Sequence, residues 1–275
     1  MMRKPSLAKI QLALLILLTL LIAACDVPEP IPTASSIEMA GTAAFLTENA
    51  PPAGFNNGVR YAPIDSNLDE LPHWHYILTV RFDGTFAGST KPVSGLLTTS
   101  VYANEVSGER RVVLRAEGEA FALSETRNVE GVRLGNDFFF VDQNNVCTRV
   151  TDDPNRRRAA ELAAGDLIGG VKAAIHTNAR KTENGVALWQ YSFAANSVDL
   201  PLVVQTQGGS VTITSGEMWV APSLNAVFDY ALTLEIDSAL VPIIQGDKQL
   251  SGIISIRYQL IETGVPYAIP IPFGC

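Results

Sequence analysis

The sequence predicts a mainly β fold: a large curved antiparallel sheet, or half-barrel, with a few short helices covering its concave face. Long segments alternate between apolar and polar residues, which is typical of strands that bury one face. Turn residues, Ser107-Gly108 and Asn184-Gly185 among them, separate these segments and indicate hairpins. Because so many strands in one sheet must curl or close to bury their apolar side, the predicted sheet is curved.

The strands follow one another along most of the chain. In the first clear strand, residues 74–82, nearly every second residue is apolar, and only Ile77 spoils the polar face. The same alternation predicts nine further strands. They are residues 96–106, 110–120, 126–134, 137–141, 173–182, 186–193, 210–220, 226–236 and 252–261.

Helical signals are few. Asp153 is a suitable N-cap and Pro154 suits the first helical position, so a helix is expected through Ala164, with Gly165 as its stop. Residues 166–176 are ambiguous and fit a short helix followed by a strand. A weaker helical possibility covers residues 37–47.

The first 24 residues have the organisation of a secretory signal peptide. Arg3, Lys4 and Lys9 precede an apolar run over residues 10–24, and small residues come before Cys25. The run is shorter than the roughly 20 apolar residues of a comfortable membrane span. We therefore expect residues 1–24 to be removed on export.

Cys25 follows Leu-Ile-Ala-Ala, which resembles the lipobox of bacterial lipoproteins. We expect Cys25 to be acylated and to anchor the protein in the cell envelope, at the outer face of the cytoplasmic membrane, in the periplasm or at the cell surface. Residues 25–36, with three prolines at alternate positions, predict an extended tether. Residues 37–275 then form a single domain. An ordinary signal peptide or an uncleaved anchor is the alternative.

The net charge limits the classes of partner that the protein can bind, and the cysteine content bears on the compartment in which it folds. Loss of residues 1–24 removes three cations and no acids, so the net charge moves from −8 to −11, which disfavours nucleic acid as a partner. Besides Cys25, the chain holds Cys147 and Cys275. Since disulfides persist outside the cytoplasm, we expect these two to pair. Two free thiols or a metal pair are the alternatives.

A tryptophan in Gly216-Glu217-Met218-Trp219-Val220, together with the lipobox, the proline-rich tether and the run of long strands, resembles the LolA/LppX type of lipoprotein carriers. The resemblance covers roughly residues 65–265. It implies a half-barrel whose helices plug the concave side and a function in binding or ferrying lipids across the envelope. The terminal Cys275 is a departure from that pattern.

The apolar side of the sheet is the predicted ligand site. The few predicted helical residues are too small a set to fill the concave side of a broad sheet. This indicates an apolar cavity for a lipid or another amphiphile. The residues expected to line it are Trp74, Tyr76, Phe228 and Tyr230, each of which is equally suited to a plain core.

Arg156, Arg157 and Arg158 form the one basic cluster of the acidic domain. Arginine suits phosphate and carboxylate groups, so these side chains are candidates for contact with an anionic head group at the cavity mouth. A solvated helix face is the competing interpretation.

Signals for catalysis, metals and cofactors are weak. His73 and His75 are two residues apart on one strand, but His176 is the only other histidine, so surface histidines are favoured over a metal site. Residues 65–70 have acids at alternate positions yet lack the glycine and the glutamate of a calcium loop, which favours a turn. With no recognisable nucleophile elbow, phosphate loop or dinucleotide fingerprint, we expect no enzyme and no cofactor.

The sequence therefore predicts a membrane-anchored lipoprotein that binds or carries an amphiphilic ligand. The alternative is a surface lipoprotein with a filled core that binds an envelope protein. A remote third is a hydrolase of envelope polymers, which would need a convergent pair of acids in a cleft.

Overall fold

The computed structural model describes residues 49–121, 127–244 and 248–275, which form one large, curved and unclosed antiparallel sheet with two α-helices. The predicted half-barrel class is therefore confirmed. The strands are β1 (Val59–Tyr61), β2 (His73–Phe86), β3 (Pro92–Asn104), β4 (Glu109–Glu117), β5 (Arg127–Leu134), β6 (Asp137–Val141), β7 (Cys147–Val150), β8 (Gly170–Glu183), β9 (Val186–Ser192), β10 (Val198–Asp199), β11 (Ser210–Ala221), β12 (Ala226–Leu240) and β13 (Gln249–Thr263).

The order across the sheet is β1-β8-β9-β11-β12-β13-β2-β3-β4-β5-β6-β7, and β10 also pairs with β8. All ten predicted strands are present, and the hairpins at Ser107-Gly108 and Asn184-Gly185 join β3 to β4 and β8 to β9. Pairing of β13 with β2 brings the last strand beside the first long one, so two runs of sequential neighbours, β8 to β13 and β2 to β7, meet in the middle of the sheet.

One face of the sheet, called here the inner face, is apolar and buried. On β2 the buried residues alternate with more exposed ones, and Leu78, Val80 and Phe82 are at most 1% exposed. The same alternation on β12 buries Leu232 and Leu234. Burial of each such side chain stabilises the fold by about 1.5–3 kcal/mol, so this face is the core of the domain.

The chain crosses the inner face between β7, at one edge, and β8, near the other. This crossing segment, residues 151–169, contains α1 (Pro154–Glu161) and α2 (Ala164–Ile168). Asp153 caps α1 as predicted, by accepting hydrogen bonds from the amides of Asn155 and Arg156.

The predicted end of the helix was wrong. The first helix ends at Glu161, and Gly165 lies inside the second instead of stopping the first. At residue 165 a Cβ would lie 2.1 Å from the Cβ of Pro63, so glycine is present here for close packing. A short helix near Leu167 followed by a strand was among the expectations and is confirmed.

The C-terminal tail, residues 264–275, lies on the opposite or outer face. Ile269 packs against Val132 and Phe139, and the ring of Tyr267 contacts that of Tyr102. The tail ends in a disulfide between Cys275 and Cys147, with a Cα–Cα distance of 5.3 Å. The predicted disulfide is confirmed, and it fastens the tail to edge strand β7.

The predicted signal peptide (residues 1–24), the tether (residues 25–36) and the helical possibility at residues 37–47 lie outside the described residues. Within the part of the chain that is described, neither helix combines the length and apolarity needed to cross a membrane.

Candidate functional site

Of the four residues predicted to line a ligand site, Trp74, Tyr76 and Tyr230 lie on the inner face. Phe228 is also buried, but a register shift in β12 pairs Val227 with inner-face Val220, and Phe228 lines a small pocket together with Asp229 and Gln259. Trp74 and Tyr76 come from β2, and Phe228 and Tyr230 come from β12. None is more than 6% exposed. The rings of Trp74 and Tyr76 stack with centroids 5.5 Å apart. Tyr258 of β13 connects Tyr76 with Tyr230, because its ring lies 5.0 Å from that of Tyr76 and it is the cross-strand neighbour of Tyr230.

These aromatic side chains belong to a row that runs across the strands. Successive pairing of β9, β11, β12, β13 and β2 places five inner-face residues side by side. All five are fully buried. They are Tyr191, Met218, Tyr230, Tyr258 and Leu78. Neighbouring side chains on one face of a sheet are close enough to form a continuous surface, so the row is a broad aromatic and aliphatic surface.

Several polar atoms in this apolar surface have no hydrogen-bond partner among the described residues. They are Trp74 Nε1, Tyr76 Oη, Thr99 Oγ1, Arg110 Nε, His176 Nδ1, Tyr230 Oη and Tyr258 Oη. A buried polar atom without a partner costs about 1–3 kcal/mol, and native proteins contain few of them. Their concentration on one face is therefore unusual for a plain core.

The tyrosine hydroxyls of this surface are neutral at physiological pH. Burial raises the pKa of Tyr76, Tyr230 and Tyr258 far above the ordinary value, and the Asp65 carboxylate raises that of Tyr76 and Tyr258 further. Burial raises the pKa of Tyr191 to about 12. A neutral phenol donates one hydrogen bond and also accepts, so each hydroxyl retains this capacity.

Asp65 and Arg110 place charge beside this surface. The Asp65 carboxylate accepts hydrogen bonds from the amides of Ala164, at 2.8 Å, and Gly165, at 3.1 Å, and so holds the start of α2. Burial raises the pKa of Asp65, while these amides and the charge of Arg110 act against the rise. The Arg110 guanidinium lies 5.0 Å from the centre of the Trp74 ring and donates to the carbonyl of Leu162.

The arginines predicted to contact a head group lie elsewhere. Arg156 and Arg157 sit over the rings of Phe140 and Phe138 on β6, and both are exposed, as is Arg158. The aromatic surface on β2, β12 and β13 is not in contact with them. Arg156 also pairs with Asp153 at 3.4 Å. A role in head-group binding therefore stays a prediction, and the arginine that contacts the predicted lining is Arg110.

His75 is not the surface histidine that the sequence predicted, because it is only 8% exposed. His75 is buried on the outer face, stacks on Tyr102 with centroids 3.8 Å apart, and lies 2.9 Å from the Ser100 hydroxyl. Burial lowers its pKa, and nearby Glu262 opposes this. In the described residues, no three His, Cys, Asp or Glu side chains come together as a metal site. Residues 65–70 form a turn with a 3₁₀ helix at Leu68–Glu70, as predicted.

A groove on the outer face lies between the tail and the sheet. Its volume is 370 Å³, and an ion pair between Arg111 and Glu130, at 2.9 Å, lies at its wall. The tail contributes Pro270, Ile271 and Phe273. Phe273 is fully exposed and Ile271 is 58% exposed, so this rim of the groove is apolar.

Sequence reasoning missed Asp65 and Arg110 as parts of the inner site. The sequence did contain a signal for Arg110, because the alternation of β4 places it on the same, apolar side of the strand as Val112 and Leu114. A charged residue on an apolar face is informative. Asp65 had no comparable signal, because its role depends on the approach of residues 164 and 165, about 100 positions away.

No protein-family model and no curated protein matches the chain. Several solved structures match it, among them the following two. A LolA superfamily protein from Nitrosomonas europaea has 12% identity and a TM-score of 0.23, over 74% of this chain and 93% of that one. A DUF1329 family protein from Desulfovibrio piger has 6% identity and a TM-score of 0.22, over 74% and 95%. The chain thus has the resemblance to a LolA superfamily protein that its sequence predicted.

Proposed function

We propose that this protein binds or carries a lipid or another amphiphile on the inner face of its half-barrel, without making or breaking a bond. The observation that carries the proposal is the continuous aromatic and aliphatic row from Tyr191 to Leu78. Apolar surfaces with a few polar groups are typical of sites for apolar ligands. The chain of an amphiphile would lie along this row, and its polar part would meet the unpartnered polar atoms.

The cover of the inner face supports exchange of a ligand. Among the described residues, the crossing segment is held over the sheet by buried apolar residues of its two short helices, Ala160 and Ile168 among them, and by hydrogen bonds, including those of the Asp65 carboxylate to the start of α2. These links are not covalent, so separation of the segment from the sheet requires only local opening. We propose that acylated Cys25 holds the protein in the bacterial envelope, where amphiphiles are available.

The test is mass spectrometry of small molecules extracted from protein that was purified gently from a bacterial envelope. The full chain carries Cys25→Ser, so that its own acyl chains do not appear in the extract. We expect a stoichiometric lipid, which is lost in Tyr230→Asp. The matched control is Thr233→Asp, on the outer face of the same strand, which should retain the lipid. Protein without ligand in repeated preparations contradicts the proposal.

A protein-binding function is the second candidate, and one observation favours it. Fully exposed Phe273 and more than half-exposed Ile271 and Val146 lie on both sides of the Cys147–Cys275 disulfide. Exposed apolar groups held rigidly together are common at interaction sites. Replacement of Phe273 by Ser would abolish capture of an envelope protein by this surface but would leave a bound lipid in place.

A further inference from the structure

Four of the inner-face residues with an unpartnered polar atom are neighbours. They are Trp74, Tyr76, Tyr258 and Arg110: the two tyrosine rings are 5.0 Å apart, Trp74 stacks on Tyr76, and Arg110 covers Trp74 at 5.0 Å. The others in the described residues are Tyr230, which lies next to this group and contacts the ring of Phe193, Thr99 on β3 and His176 on β8. The four neighbouring residues are called here the polar cluster.

Each residue of the polar cluster has a polar atom that is buried from solvent. Tyr76 and Tyr258 are 0% exposed and Trp74 is 4% exposed, and none of their polar atoms has a partner among the described residues. The Ala164 amide lies near the Tyr76 hydroxyl but donates to Asp65. In contrast, the hydroxyl of Tyr191, in the same row, donates to the carbonyl of Phe55 at 2.8 Å.

The chemistry of the cluster is that of a donor site. Trp74 Nε1 and Arg110 Nε are donors only, and the neutral phenols each add a donor. The nearby acceptor, the Asp65 carboxylate, already receives two backbone amides. A group that fits the cluster therefore brings acceptors, and Arg110 adds a preference for negative charge.

We infer that the polar cluster binds the carbonyl oxygens of an acyl ligand, present either as a carboxylate or as an ester, while the acyl chain follows the aromatic row. The inference rests on the proposed function and specifies the ligand group and its site. A water molecule that satisfies the cluster without any ligand is the competing explanation.

Competition binding tests the inference on the full chain carrying Cys25→Ser. The reporter is N-phenylnaphthylamine, an uncharged dye that fluoresces in apolar sites. The competitors share a hexadecyl-length chain: palmitate, methyl palmitate and hexadecyltrimethylammonium, which has no acceptor. We expect the two carbonyl compounds to displace the dye at concentrations about tenfold lower than the ammonium compound.

Variants locate the effect. Tyr258→Phe and Tyr76→Phe retain the rings, so we expect dye binding to persist while displacement by palmitate and methyl palmitate weakens by about fivefold each. Tyr191→Phe is the matched control, because its hydroxyl already has a protein partner, and it should leave the preference unchanged.

The outcomes separate the two claims. Absence of binding by the dye and by all three competitors overturns both this inference and the proposed function. Binding without preference for a carbonyl group, or a preference that survives in Tyr258→Phe and Tyr76→Phe, overturns the inference alone. If palmitate displaces the dye at lower concentration than methyl palmitate, and this difference disappears in Arg110→Gln, the bound group is a carboxylate. If both compounds displace the dye at the same concentration, the bound group is an ester carbonyl.

Discussion

Two segments cross the same strands on opposite faces of the sheet, and they are fastened differently. The crossing segment, residues 151–169, lies on the inner face and is held by noncovalent contacts: buried apolar side chains, hydrogen bonds and an ion pair of Arg133 with Glu161 at 2.9 Å. The tail, residues 264–275, lies on the outer face and is held by a disulfide. The faces are opposite because α1 packs on Gly131 while the tail packs on the next residue, Val132.

The difference indicates which cover opens. Noncovalent contacts can separate and a disulfide cannot, so of the two segments the inner one is the one that we expect to open. The outer tail cannot leave the sheet while the disulfide is intact. A protein that takes up a ligand on its inner face needs this division, because the sheet must keep its shape while its inner cover opens.

The largest expected effect is loss of the disulfide. The bond closes a loop with a sequence separation of 128, and the chain-entropy relation gives about 4–5 kcal/mol for a loop of this length. We expect the double variant Cys147→Ser, Cys275→Ser to lose that much free energy of unfolding in urea. Reduced unaltered protein should match it, and identical unfolding midpoints with and without reductant would contradict the covalent role of the tail.

Gly131→Ala breaks the inner contact alone. A Cβ at residue 131 would lie 2.5 Å from the amide nitrogen of Ala160, so α1 must shift, which costs about 1–3 kcal/mol. Hydrogen exchange should show faster exchange in Pro154–Glu161 with the tail unchanged. Asn128→Ala, exposed on the same strand, is the control and should stay within about 0.5 kcal/mol of the unaltered protein. Equal loosening of both segments would show that they are coupled.

The smallest effect concerns the start of α2. Asp65→Ala removes the acceptor of two amides, and we expect a loss of about 0.5–2 kcal/mol in the free energy of unfolding. Because burial raises the pKa of Asp65, its contribution is greatest in acid and declines as the pH rises through the folded-state pKa. The stability difference from the unaltered protein should therefore grow as the pH falls from neutral towards 4, the ordinary pKa of an aspartate.

Asp142→Ala is the control with the opposite sign. The Val146 amide lowers the pKa of Asp142, so the contribution of this carboxylate is present above its ordinary pKa and is lost in stronger acid. Urea unfolding from neutral pH to below the ordinary pKa of an aspartate measures both variants. A difference for Asp65→Ala that shrinks on acidification would show that the carboxylate is stabilised in its charged form.

The sequence predicted the long strands because alternation over nine or more residues identifies a half-buried strand. It missed β1, β7 and β10, which have three, four and two residues, too few to show a period. The second helix, five residues long, was seen only as a possibility. Gly165 was misread as a stop because the approach of Pro63, which requires a glycine, is not visible locally.

The aromatic lining of the candidate site could be predicted for the same reason, since Trp74, Tyr76 and Tyr230 occupy the apolar side of clear alternations. The absence of hydrogen-bond partners for their polar atoms could not be predicted from the sequence. It depends on how α2, Asp65 and β4 come together, and residues far apart in sequence determine that arrangement. Local pattern thus identifies a surface, while its chemistry depends on tertiary contacts.

The disulfide has a topological consequence. The covalent loop from Cys147 to Cys275 runs along the inner face as the crossing segment and returns along the outer face as the tail. Strands β3 to β6 lie between the crossing segment and the tail, and so pass through this covalent loop. A force that pulls these strands out of the sheet would have to draw them through the loop. While the disulfide is intact, the loop therefore limits how far the strands can be separated.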